Sequence, residues 1–378
     1  MEASLQFSPE DWQRVGASTA AWWAGELERP LVYLAVTDPV PGPRPYAFLA
    51  NWGPQPSADE VVDRYVPTLA ATRHYADAFP WLWVNFGPGI MAGFLGGEVH
   101  SVVEPSETVW FGPPPGAPAE APLGPMRLES DYSNPWWLRI RDISAALVER
   151  YDGALAVGHT DLGGNLDILA SLRGTQRLLL DLVDSAQEVE ALCARVTALW
   201  LEYYDRLDRI IRPRCGGTSC WTPLFSCGTT YMLQCDFSYM ISPAMFERFV
   251  MPDLVACCNH LEHAFYHLDG RGEIPHLDML LSIPRLRGVQ WIPGDGQPTA
   301  DRWPQLLARI RAGGKLCQIF VTPEGALRVV RTVGGRGFLF VVSGSPSEFP
   351  DREHVQAFLE ELRSSDVSRG QRPRAGTA

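Results

Sequence analysis

Short apolar runs alternate with amphipathic segments along most of the chain. Residues 31–36 (LVYLAV), 81–86 (WLWVNF), 154–157 (ALAV), 264–269 (AFYHLD), 288–292 (GVQWI), 315–321 (KLCQIFV) and 337–342 (GFLFVV) read as buried strands. An eighth is expected inside the irregular, cysteine-rich stretch 219–240. Helix patterns fall between them: 58–76, about 185–211, a segment opened by Ser242-Pro243, one containing WPQLLARIRAGG, and a last helix ending near Ser364. An opening helix begins at Ser8, with Asp11 placed to complete a capping box. Eight strands alternating with helices is the count of a TIM (β/α)₈ barrel, the fold class expected here. A doubly wound sheet would give six or seven similar runs. The expected organisation is one α/β domain over 31–364, an N-terminal helical extension over 1–30 and a disordered tail over 365–378. The Pro/Gly/Ala-rich stretch 112–125 reads as a surface excursion, because the rhythm resumes after it.

The segment 264–296 concentrates polar groups at strand ends. It reads strand, turn, helix, strand, and places His267, Asp269, His276, Asp278, Trp291 and Asp295 at or after those ends. Strand C-termini in such repeats are where α/β enzymes keep their chemistry. His267 and Asp269, two residues apart on one strand, share a face. They suit metal ligation, or an acid/base with its orienting carboxylate; a structural His–Asp hydrogen bond is the plainer alternative. Asp161 and Asn165 flank Gly163-Gly164, where backbone amides can approach a ligand, or where a tight turn simply needs glycine. Asp167 reads as a helix cap. Cys235 is a candidate metal ligand, with Asp236 beside it a polar contact. Tyr231 and Trp291 are candidate pocket walls, and His276 a candidate substrate contact.

Composition narrows the classes. The chain has 378 residues, 20% of them charged, and a formal net charge of −12, which disfavours nucleic acid and anionic lipid as partners. No apolar run reaches the roughly 20 residues of a membrane span. No basic-then-apolar leader opens the sequence, so a cytoplasmic location is expected. Eight cysteines in a chain of this length, with no CxxC pair, do not make a disulfide framework or a zinc ribbon. No glycine-rich nucleotide motif follows any strand. Thirteen tryptophans point first to aromatic packing.

Several segments together resemble the uroporphyrinogen decarboxylase / cobalamin-type methyltransferase superfamily: FGPGIMAGFLGGEV, VGHTDLGGNLDILASLRGTQRLLLDLVDSAQEV, ISPAMFERFVMPDL and FYHLDG. The resemblance implies a TIM barrel and an enzyme acting on a small molecule. Its methyltransferase members imply zinc and a corrinoid, free or on a corrinoid protein, as methyl donor or acceptor. Its decarboxylase members imply a metal-free proton-transfer pair acting on an organic acid or porphyrinogen. A non-catalytic corrinoid- or tetrapyrrole-binding barrel is a third expectation, and a homodimer a fourth. Thiol methyltransferases of this kind carry H-x-C where this chain has His267-Leu268-Asp269, and the arginine-rich N-terminal segment of the decarboxylases is missing. The expected site is therefore His267, Asp269 and Asp161 as catalytic groups, with Cys235 joining His267 and Asp269 around a metal.

Overall fold

The computed structural model describes Leu5, residues 7–117, Leu123, Met126 and residues 128–367. The strands are β1 (Leu31–Thr37), β2 (Thr72–Ala76), β3 (Trp81–Trp83), β4 (Glu98–Val102), β5 (Thr108–Gly112), β6 (Ala156–Gly158), β7 (Thr218–Ser219), β8 (Phe225–Ser226), β9 (Thr230–Leu233), β10 (His263–Asp269), β11 (Leu286–Ile292), β12 (Leu316–Val321) and β13 (Phe338–Ser343). Seven of them form one sheet in the order β2-β1-β13-β12-β11-β10-β9. All its ladders are parallel except β1–β2. A second sheet runs β3-β6-β7-β8, and β4 and β5 make a hairpin. Each long parallel step is crossed by a helix, as the alternation predicts.

The expected closed barrel is not found. Among the described residues no ladder joins β3 to β1, or β9 to the second sheet. The reason lies in residues 72–76, expected to continue the preceding helix. That helix stops at Ala70, and Thr72–Ala76 pairs antiparallel with β1, occupying the edge that β3 would otherwise take. Thr72 and Tyr75 favour the extended backbone, and the ladder satisfies their peptide groups. The expected eighth strand is also subdivided, into β7, β8 and β9.

The two sheets nevertheless enclose one core. The first helix, α1 (Pro9–Trp23), starts in the expected capping box at Ser8 and Asp11. It is no free-standing extension: Trp22 stacks on Phe265 of β10, ring centroids 5.9 Å apart, and the Trp23 indole N–H donates to the Phe225 carbonyl of β8 at 2.9 Å. Arg29 grips buried Asp77 with two nitrogens at 2.6 and 2.8 Å, and the same carboxylate accepts the Val32 N–H at 3.0 Å. A buried carboxylate held by a charged fork and a peptide N–H fixes the start of β1. Half of the excursion expected at 112–125 lies outside the described residues, as does the tail beyond Val367. Among the described residues no helix is long and apolar enough to cross a membrane.

Trp22 is 1% exposed and seals one end of this core. Trp22→Ala is expected to lower unfolding free energy by about 3–5 kcal/mol, read as a fall in the urea midpoint. A loss below about 1 kcal/mol would show that α1 does not carry that end of the fold.

Candidate functional site

Alternation along β10 puts His263, Phe265, His267 and Asp269 on one face of the sheet. Phe265 meets Trp22, so His267 and Asp269 stand further along the same face, toward the loops at the strand C-terminus. Asp236 approaches from the short 3₁₀ turn Asp236–Met240 that follows β9. Ligand-type atoms of Asp236, His267 and Asp269 lie within 4.8 Å of one another. The sequence pattern pairs Cys235 with His267 and Asp269, but the structure brings its neighbour Asp236 to them instead. Cys235 is fully buried, with its thiol pushed well above the usual range by burial.

Asp167 explains why Asp236 sits there. It lies in the first turn of the helix Asn165–Arg173, and its carboxylate accepts N–H bonds from Gly164 at 3.2 Å, Asp236 at 3.1 Å and Phe237 at 2.7 Å. The expected cap therefore also ties two loops together. Gly164 permits it, because a Cβ there would strike the Gln234 carbonyl and the Asp167 carboxylate. Gly163 has φ +85°, the backbone state for which glycine is suited.

The surroundings are strongly acidic. Burial, reinforced by Asp236, raises the Asp167 carboxyl to about 7. Burial and the charge of Asp269 raise Asp236 to about 6, although its side chain keeps solvent access. Asp161, buried and accepting the Gly163 N–H at 2.9 Å, is held well above the carboxylate range by burial and by Asp236. Glu273 behaves likewise, for the same two causes. It accepts the Asp269 N–H at 3.2 Å and the Tyr266 hydroxyl at 3.3 Å. None of these carboxylates forms an ion pair with arginine or lysine among the described residues. Burial lowers the His267 pKa, favouring the neutral ring. The ring meets the edge of Trp221 at 5.0 Å, and its Nδ1 hydrogen-bonds Gln290 Oε1.

The other expected residues have different settings. Trp291 is fully buried on the opposite face of β11 from Gln290, edge-on to Trp303 at 5.2 Å. The Tyr231 hydroxyl donates to the Thr160 carbonyl at 2.9 Å and accepts the Leu162 N–H at 2.8 Å, which clamps the loop after β6. Asn165 Nδ2 donates to the Phe249 carbonyl at 2.8 Å. His276 stacks on Phe246 at 4.4 Å and bonds the Ser238 carbonyl at 3.0 Å. Asp278 is exposed and pairs with Arg309. Asp295 lies in an exposed turn, its carboxylate accepting the Gly296 N–H at 3.0 Å. Glu273, Gln290 and Trp221 are not among the residues the sequence pattern singles out. Of the three, only Gln290 carries a signal there, as a polar residue inside an apolar strand run.

No protein-family model matches the chain, and no curated protein matches it in sequence. In overall fold it is similar to a methyltransferase from Methanosarcina mazei: TM-score 0.56, 11% identity, covering 93% of this chain and 98% of that one. At that identity the likeness concerns the fold.

His159, just after β6, is fully buried against Tyr204, and burial lowers its pKa to about 4. The unfolded chain takes up this proton near pH 6.5 while the fold does not. The stability this group contributes is therefore whole above pH 6.5 and lost as pH falls toward 4, by up to about 3 kcal/mol. His159→Phe is expected to remove that share of the acid destabilisation, measured as urea unfolding of both proteins at pH 7.5 and pH 4. Equal losses in the two would contradict it.

Proposed function

We propose that the protein is a metal-dependent methyltransferase on a (β/α)₈-type scaffold of the uroporphyrinogen decarboxylase / cobalamin-type methyltransferase superfamily. Asp236, His267 and Asp269 are its metal ligands and zinc the leading candidate. One observation carries this reading: an imidazole and two carboxylates converge within 4.8 Å, in acidic surroundings that no arginine or lysine among the described residues pairs with. A cation is what such surroundings lack, and one imidazole with two carboxylates is an N/O donor set that zinc accepts, three protein ligands being the number its catalytic sites use. Likeness of fold to a methyltransferase supports group transfer as the chemistry.

When bound, the metal would act as a Lewis acid that lowers the pKa of a thiol or hydroxyl nucleophile. His267 and Asp269 hold their positions on a paired strand, and Asp236 on a turn fastened by Asp167. Trp221 against the His267 ring limits water beside it. Buried Asp161, its pKa raised by burial and by Asp236, sits in the loop after β6, where it accepts the Gly163 N–H. The substrate is a small thiol or other small organic molecule. A corrinoid, free or on a partner protein, serves as methyl donor or acceptor, in the cytoplasm.

Purified protein is expected to hold about one zinc per chain. His267→Gln and Asp269→Asn should each weaken zinc binding by at least about tenfold and suppress methyl transfer from methylcobalamin to a thiol acceptor. Metal analysis with a chelator titration checks it. Absence of any transition metal, together with turnover indifferent to chelator, would remove the metal from this reading.

A further inference from the structure

Behind His267 lies a chain of side-chain amides with one fixed end. Gln290, directly across the β10–β11 ladder, places Oε1 at His267 Nδ1. Gln290 Nε2 donates to Gln318 Oε1 at 2.6 Å and reaches Thr222 Oγ1 at 3.4 Å. The Thr222 hydroxyl donates to the same Gln318 oxygen at 3.1 Å. Gln318 Nε2 ends the chain on the Pro223 carbonyl at 3.4 Å. Gln290 and Gln318 are both fully buried, and Thr222 is 2% exposed, so water does not offer these groups an alternative partner.

A backbone carbonyl only accepts, and this sets the direction of everything upstream. Pro223 takes an N–H, so Gln318 turns its amide nitrogen to Pro223 and its oxygen to Gln290. Gln290 must then turn its nitrogen toward Gln318 and its oxygen toward His267. An amide oxygen facing Nδ1 requires a proton on Nδ1. The opposite orientation would set the Gln318 oxygen against the Pro223 oxygen, leaving two buried acceptors face to face at a cost of about 1–3 kcal/mol.

We infer that Gln290 and Gln318 are positioning residues that lock His267 as its Nδ1–H tautomer, leaving Nε2 as the one ring nitrogen free to bind a metal ion or a proton. The inference rests on His267 being a ligand of the proposed site, yet the tautomer exists whether or not metal binds. The lock acts in two ways. It removes the choice between ring nitrogens before any ligand arrives, and it makes Nε2 a better donor, because the amide oxygen stabilises positive charge on the Nδ1 side. Glutamine is suited to this task, since a carboxylate there would add another negative charge to a site already crowded with them.

The test is imidazole ¹⁵N NMR on the full-length, metal-free protein at pH 7.5, with His267 assigned by its absence in His267→Gln. A protonated-type Nδ1 and an unprotonated-type Nε2 are expected. Gln290→Leu should lose that preference and weaken zinc binding by about 10- to 100-fold. An Nε2–H form in the unaltered protein would overturn the inference, as would an unchanged tautomer in Gln290→Leu. If Gln290→Leu fails to fold, the spectrum of the unaltered protein still decides the question. Absence of zinc binding with the Nδ1–H form present would remove the metal reading and leave the tautomer lock standing.

Discussion

Everything at the candidate site depends on how β10 and β11 are registered. Ala264 lies opposite Leu286, but Phe265 lies opposite Gly288, so Arg287 is an extra residue in the ladder. That irregularity shifts all later pairs by one. It sets His267 opposite Gln290 and Asp269 opposite Ile292. Without it His267 would face Val289, and the ring would have an apolar neighbour in place of an amide. Gly288 makes the shift feasible, since a Cβ at that position would run into the Phe265 ring. Phe265 in turn lies under Trp22. A glycine, an aromatic stack and one surplus residue thus decide which side chain touches the histidine.

The loops complete what the strand begins. Asp236 is no part of the sheet; the Asp167 carboxylate holds its turn through the Asp236 and Phe237 N–H groups, and His276 holds it through the Ser238 carbonyl. Burial raises the pKa values of Asp167 and Asp236 and lowers that of His267. Both shifts reduce charge in a place that water reaches poorly. A bound cation would oppose the shift of the acids, because it favours their charged forms.

Much of this is legible in the amino-acid sequence. The apolar runs locate the long strands to within one or two residues, and the two-residue spacing places His267 and Asp269 together. Three things are not legible. Strands buried on both faces lose the alternation that would tell inside from outside, which is why Trp291 reads as part of the site while its neighbour Gln290 does not. Cys235 and Asp236 are adjacent in the chain, and the fastening of the turn by Asp167 helps decide which of them reaches the histidine. The pairing of residues 72–76 with β1 rests on a long-range ladder that no local pattern announces.

The placement of α1 bears on how the molecule is made. Trp23 hydrogen-bonds a carbonyl 202 residues further along, and Trp22 stacks on a ring more distant still. During synthesis this helix leaves the ribosome long before its partners exist. At about 5–20 residues per second, the wait is on the order of tens of seconds. Throughout it, two adjacent indoles lack their partners on β8 and β10. Its final docking therefore cannot precede the synthesis of β10.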